Sequence, residues 1–142
     1  MPTDRPFVHR LPVRYADTDA QGHVFFANYA TFMDEGLTYL LVHIGWPYAT
    51  IEADLGVLCV YAAAESRFKS RTFFGDTLAI QVTVSRVGRT SFSTAYEIRR
   101  PDGTLAAEGA LTSVCLDLET RAPVPVPERL RAALETQQVA PD

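Results

Sequence analysis

Cysteine is scarce in this sequence: Cys59 and Cys115 are the only two among 142 residues. They lie far apart and match no metal-ligating or redox spacing. Both sit among apolar neighbours, where a small buried thiol is expected. Long apolar runs are missing too, for no uncharged stretch approaches the ~20 residues that cross a bilayer. The first ten residues, MPTDRPFVHR, put charges and prolines where a signal peptide needs an apolar segment. A cytoplasmic protein without a membrane partner is expected. Positive charge is also in deficit, with 13 Lys and Arg against 17 Asp and Glu and a net charge of −4. That balance opposes broad attraction to nucleic acid or to an anionic surface. It leaves room for a local basic patch that meets a small polyanion.

What is present is the composition of a globular chain, 47% hydrophobic and 21% charged. The length allows one hydrophobic core and little more, so residues 1–142 read as a single domain with its core over about residues 8–127. The only linker-like composition is APVPVP at 122–127. Beyond it, 128–142 reads as a C-terminal tail in which ERLRAALE has the pattern of a terminal helix.

One long helix is predicted over 28–44. Asn28 can cap it, and Tyr29, Phe32, Met33, Leu37, Leu40, Leu41 and Ile44 recur at helical spacing. Gly45 and Trp46-Pro47 supply the stop. Gly36 costs about 1 kcal/mol against alanine in a helix interior, and its place beside the apolar stripe implies close approach to a flat surface. Extended segments surround this helix. Residues 7–15 read as an edge strand, because Pro12 cannot donate to a ladder. A strand over 57–72 sets Ala62, Ala64, Ser66 and Phe68 against Glu65, Arg67, Lys69 and Arg71. After FFGD, Leu78, Ile80, Val82 and Val84 alternate with polar residues, and Phe92, Thr94, Tyr96 and Ile98 do so in the next strand. Pro101-Asp102-Gly103 marks a hairpin before a last strand from about Leu105 to Leu116. Strands in series with short turns imply an antiparallel sheet whose apolar face must be covered. A long central helix wrapped by a curved antiparallel sheet of about five strands is an α+β arrangement, the hot-dog architecture.

The chemistry-bearing segment is 15–29, YADTDAQGHVFFANY. It gathers Asp17, Asp19, Gly22, His23 and Asn28 between the first strand and the start of the helix. Helix N-termini offer unpaired N–H groups and a positive dipole end. A carboxylate beside such donors suits acyl transfer without a metal, because one polarises a carbonyl and the other acts as base or nucleophile. The same two acids also suit plain turn and capping duty. Asp-x-Asp-x-x-Gly resembles the start of a calcium loop, but Gln21 stands where a fifth-position Asp or Asn is usual, and Asn28 stands where the loop needs its bidentate Glu. Calcium is not expected, nor any other metal or cofactor. His9 and His43 have no sequence partner and receive no role.

These residues resemble the signature of the 4-hydroxybenzoyl-CoA thioesterase family: Asp-x-Asp, two residues, Gly, an aromatic pair, and Asn-Tyr leading into the helix. The likeness extends over about 8–127, through FFGD and Arg-Val-Gly-Arg-Thr-Ser-Phe. It implies that Asp19 is the catalytic carboxylate, attacking a thioester or activating water, and that the Phe26 backbone N–H polarises the thioester carbonyl. It implies supporting places for Asp17, Gly22 and Asn28. His23 would orient water or Asp19, and Tyr29 would line the acyl pocket or serve as a core aromatic. Arg86 and Arg89, within SRVGRTSF, match positions where relatives meet the phosphates of coenzyme A, a task suited to the guanidinium fork. The alternative is an ordinary solvated hairpin. The Arg67–Lys69–Arg71 stripe reads as a solvated or subunit-facing surface.

The expected activity is hydrolysis of a small or medium acyl-CoA, aliphatic or aromatic, by a homo-oligomer, either dimer or tetramer. Rival readings are an acyl carrier protein thioesterase, a non-catalytic acyl-thioester binding protein, and a dehydratase or hydratase of the same architecture. The His-Phe-Pro and Asp-x-Asn-Pro-x-His patterns of that last group do not occur here.

Overall fold

The structure is a computed structural model, and it describes residues 5–139. In chain order the strands are β1 (Phe7–Pro12), β2 (Val57–Phe68), β3 (Thr77–Val87), β4 (Ser91–Arg99) and β5 (Leu105–Asp117). Helix α1 (Asn28–His43) lies between β1 and β2, a short α2 (Tyr48–Thr50) follows it, and α3 (Glu128–Glu135) comes after β5. The five strands form one sheet in the order β1-β3-β4-β5-β2, antiparallel at every pairing. Alternation in β4 buries Phe92, Thr94, Tyr96 and Ile98, while Leu78, Ile80, Val82 and Val84 do the same in β3. The hot-dog arrangement expected from the element order is the one observed. Among the described residues no helix is long and apolar enough to cross a membrane.

Helix α1 buries Tyr29, Phe32, Met33, Leu37, Leu40 and Leu41 against this face. The layers meet where side chains are smallest. A Cβ at Gly36 would lie 3.0 Å from Val82 Cγ2 and 3.1 Å from Ile80 Cγ2, which explains a glycine in mid-helix. Gly109 in β5 answers it from the sheet side, since a Cβ there would run into the Glu65 carbonyl oxygen and lie 2.7 Å from Met33 Sδ.

Several local expectations need correction. Ala27, not Asn28, occupies the helix N-cap, and no side chain caps it; the Asn28 amide is spent elsewhere. Strand β2 ends at Phe68 rather than residue 72. The register slips between Tyr61 and Ala63, so Ala62 is an extra residue of a bulge and drops out of the face that Ala64, Ser66 and Phe68 share. Residues 128–135 are more than a tail: Leu130 and Leu134 of α3 are fully buried in the core cluster.

Gly109→Ala is expected to destabilise the protein by about 1–3 kcal/mol, the usual cost of overpacking. A lower urea midpoint at unchanged slope would register it. An unchanged midpoint would mean that β2 and Met33 stand farther from β5 than described.

Candidate active site

Strand β1 hands over to a loop, 13–27, that is held at nearly every step. Val13 N–H donates to the Asp76 carbonyl at 2.8 Å, and a 3-10 turn follows at Tyr15–Asp17. Asp17 is buried. Its carboxylate accepts from the Arg14 N–H at 2.8 Å and from Arg14 Nη2 at 2.9 Å. Its carbonyl accepts from the Phe25 N–H at 2.9 Å and from Asn28 Nδ2 at 2.8 Å. Burial pushes the Asp17 carboxyl up, but the Arg14 hydrogen bonds and charge more than offset this and hold it below the ordinary range. Asp17 therefore stays ionised as a structural anchor, ion-paired with the Arg14 guanidinium.

Asp19 does something different. It opens a tight turn in which Gly22 N–H donates to its carbonyl at 3.0 Å and its own N–H donates to the His23 carbonyl at 3.0 Å. Gly22 has φ +82°, a region that glycine enters without strain. The Asp19 carboxylate is half-buried and accepts the Gln21 N–H at 2.8 Å; no cation neutralises it among the described residues. His23 is fixed within the same turn, with Nδ1 3.1 Å from the Val24 carbonyl and Nε2 3.0 Å from the Gln21 side chain. Among the described residues its imidazole makes no hydrogen bond to the Asp19 carboxylate, and the two residues meet only through their backbones.

Downstream, Val24 N–H donates to the Thr72 carbonyl at 2.9 Å, and the Tyr29 hydroxyl lies 2.7 Å from Thr72 Oγ1. These two bonds hold the loop and the start of α1 against the segment after β2. Between them opens a pocket of about 240 Å³ lined by His23, Val24, Phe26, Tyr29, Phe68 and the stretch 69–71. Its walls are rings: Phe26 and Phe68 have centroids 6.1 Å apart, Tyr29 and Phe68 5.5 Å. The Phe26 N–H, immediately before the helix cap, donates to no described residue. An unpaired donor at a helix N-terminus, above an apolar pocket, can receive a developing oxyanion.

The structure thus brings Asp17, Asp19, Gly22, His23, Phe26, Asn28 and Tyr29 into one loop and its helix start. Arg86 and Arg89 are elsewhere. The loop leaves from Pro12, opposite Thr77 at the start of β3, whereas Arg86 and Arg89 flank the turn at the far end of that strand, where Val87 pairs with Phe92. Nine residues of strand separate Thr77 from Arg86, roughly 30 Å. The strand pattern puts Lys69 and Arg71 on a solvated or subunit-facing surface and Phe68 on the opposite face, yet all three line the pocket; a strand pattern cannot reveal that β2 ends where the loop crosses it. Among the described residues, no group of three or more His, Cys, Asp or Glu side chains is placed to hold a metal.

Comparison with known proteins fits this geometry. The pattern of the thioesterase-like superfamily matches residues 13–134. A 1,4-dihydroxy-2-naphthoyl-CoA hydrolase of Thermosynechococcus vestitus is 30% identical over 128 residues, covering 90% of this chain and 88% of its own. Among solved structures, a gentisyl-coenzyme A thioesterase superposes with a TM-score of 0.81 at 27% identity, over 90% of this chain and 99% of that one. A thioesterase superfamily protein from Jannaschia sp. CCS1 reaches 0.89 at 24% identity, over 99% and 98%, a likeness of fold.

The anchoring role of Asp17 has a pH signature. Its carboxyl sits below the unfolded value of about 3.9, so its contribution is complete at neutral pH and is lost as pH falls through the lowered folded value. Asp17→Asn should lower the melting temperature by about 2–6 °C at neutral pH. That gap should narrow below about pH 4, where wild type loses the same charge. A gap that widens on acidification would contradict the assignment.

Proposed function

The chain belongs to the thioesterase-like superfamily, and from that premise we propose that it is an acyl-CoA thioesterase whose reacting carboxylate is Asp19. The observation that carries this reading is the unpaired Phe26 N–H, set over an aromatic-walled pocket and beside the Asp19 turn. The thioester carbonyl accepts that N–H, and the positive end of α1 favours the negative charge that grows on its oxygen. Asp19, free of any cationic partner, attacks the carbonyl carbon or draws a proton from water that does so; free acid and coenzyme A result. Asp17 shapes the loop, and His23 keeps the turn closed.

For the acyl group we infer a small aromatic acid. Two considerations support it: flat rings pack well between Phe26, Tyr29 and Phe68, and the relatives quoted above are named for naphthoyl and gentisyl thioesters. A hydrolysis screen over aromatic, short aliphatic and long aliphatic acyl-CoAs tests it. Preference for the long aliphatic chain would overturn it.

Asp19→Asn should reduce turnover by about 10²–10⁴, the range for loss of a positioned base, with thermal melting and binding of an unreactive thioether analogue preserved. If Asp19→Asn keeps its turnover while Asp17→Asn or His23→Ala loses it, the carboxylate has been misassigned.

The separation of Arg86 and Arg89 from Asp19 has a solution in symmetry. Strand β2 is a 12-residue edge strand with Val60, Tyr61 and Phe68 at 40%, 42% and 52% exposure, and neither proline nor lysine guards it. Pairing it with the β2 of a second copy about a two-fold axis lays the Phe68 end of one protomer beside the Val57 end of the other. The turn carrying Arg86 and Arg89 lies at that Val57 end, since Ser91 pairs with Val114 and Val57 with Asp117. Each site then takes its carboxylate from one protomer and its phosphate-binding arginines from the other.

This arrangement predicts complementation. Asp19→Asn and the double variant Arg86→Ala/Arg89→Ala should each be poor on acyl-CoA, the second mainly through a raised KM. Co-expressed as mixed dimers, they form one site with both elements intact, and activity at low substrate should return to about one half of wild type per mixed dimer, the share of sites left whole. No recovery in isolated mixed dimers would place the arginines in the same protomer as the carboxylate, or outside the site.

A further inference from the structure

The two cysteines, unremarkable in sequence, are brought face to face by the fold. Cys59 in β2 is the direct register partner of Cys115 in β5. Opposed residues of an antiparallel pair are of two kinds, and the backbone shows which this is. Cys115 N–H donates to the Thr90 carbonyl at 2.9 Å, and its carbonyl accepts from the Val124 N–H at 3.0 Å. Both groups therefore point away from β2, and Cys59–Cys115 is a non-hydrogen-bonded pair. Such pairs hold their Cα atoms about 4.5 Å apart with side chains closest, inside the roughly 4.4–6.8 Å that a disulfide spans. Facing each other, the thiols bias each other's ionisation: the Cys59 thiol and the nearby Arg131 charge favour the Cys115 thiolate against its burial. Cys59 is pushed up by Cys115 and by its own burial.

Access completes the arrangement. Cys115 is fully buried, but Cys59 is only partly so and lines a pocket of about 280 Å³ together with Asp34, Tyr48, Ile51, Glu52 and Tyr61. We propose that Cys59 and Cys115 are a redox modification site, closing to an intrachain disulfide when hydrogen peroxide enters this pocket. The balance is simple. Cys59 sulfur, which lines the pocket, attacks one peroxide oxygen, the O–O bond breaks, and the departing hydroxide takes up the Cys59 proton to leave as water. Cys115 sulfur then attacks the Cys59 sulfenic acid; the S–S bond forms, the S–O bond breaks, and the hydroxide leaves with the Cys115 proton as the second water. Two thiols lose two electrons, and the peroxide becomes two waters.

Closure ties β2, an edge strand, covalently to its neighbour. The pair already sits within bonding range, so the two sulfurs meet at high effective concentration and further oxidation of either is outrun. Catalysis is not involved, for neither cysteine lines the pocket beside Asp19.

The test treats the folded wild-type protein with a small molar excess of hydrogen peroxide. Titratable thiols should fall from both to none, the intact mass should drop by two hydrogens, and peptide mapping should join the Cys59 and Cys115 peptides within one chain. Dithiothreitol should restore both thiols. Cys59→Ser and Cys115→Ser, each checked for a native melt, should show no such loss of mass. Oxygen adducts on single cysteines without thiol-to-thiol linkage, a disulfide joining two chains, or thiols that react only once the chain is unfolded in urea would each overturn the proposal. Should one serine variant fail to fold, mapping of the wild-type protein alone still decides.

Discussion

The candidate site hangs from one residue, Asp17, fastened at both ends. Its carboxylate is held by Arg14 from the chain behind it, and its carbonyl by Phe25 and Asn28 from the chain ahead. A peptide loop has no reason of its own to return its twenty-fifth residue to its seventeenth. The ordering cost of such a loop, about 1–2 kcal/mol per residue, has to be met by bonds of this kind. Because the anchor is Asp17, the next acid in the pattern is left unneutralised, and the N–H before the helix cap is left unpaired. Two acids one residue apart thus differ sharply in their surroundings, since one faces a guanidinium and the other only a backbone N–H.

The second constraint is how closely α1 can lie on the sheet. Gly36 and Gly109 remove Cβ atoms at the places where Val82, Ile80, Met33 and the β2 backbone come nearest. The helix axis is fixed by that contact, and with it the height at which α1 begins. Tyr29 then falls within reach of Thr72 and Phe68, so that the pocket wall is a consequence of the packing in mid-helix rather than of the loop alone.

Much of this was legible in the sequence, and the limits are physical. The period of 3.6 over Tyr29–Leu41 and of 2 over β3 and β4 survives because each of these elements buries one face. Amide side chains commonly cap helices, which is what the sequence implies for Asn28, but a loop carbonyl eleven residues back competes for it. Bulges interrupt period without announcing themselves, which is why Ala62 fell on the wrong side and why β3 slips between Val84 and Arg86. ERLRAALE is too short to be stable alone, and its two buried leucines take their value from a surface that only tertiary structure provides. The pairing of Cys59 with Cys115 is invisible for the same reason: register across 56 positions is not written in spacing.

The distance between the Asp19 turn and the Arg86–Arg89 turn follows from topology. Strand β1 pairs antiparallel with β3, so the end of β1 must meet the start of β3, and the β3–β4 turn must lie a full strand away. No change of side chain alters that. A ligand as long as an acyl-CoA, with its reacting carbon at one end and its phosphates at the other, would have to run along the strands of one protomer or cross to a second. The open β2 edge favours crossing, because antiparallel pairing there reverses the strand direction and sets unlike ends together. The proposed pairing would also reconcile the net charge of −4 with an anionic substrate, since a few guanidinium groups from a second copy would act within a Debye length of about 10 Å, where the diffuse charge of the whole counts for little.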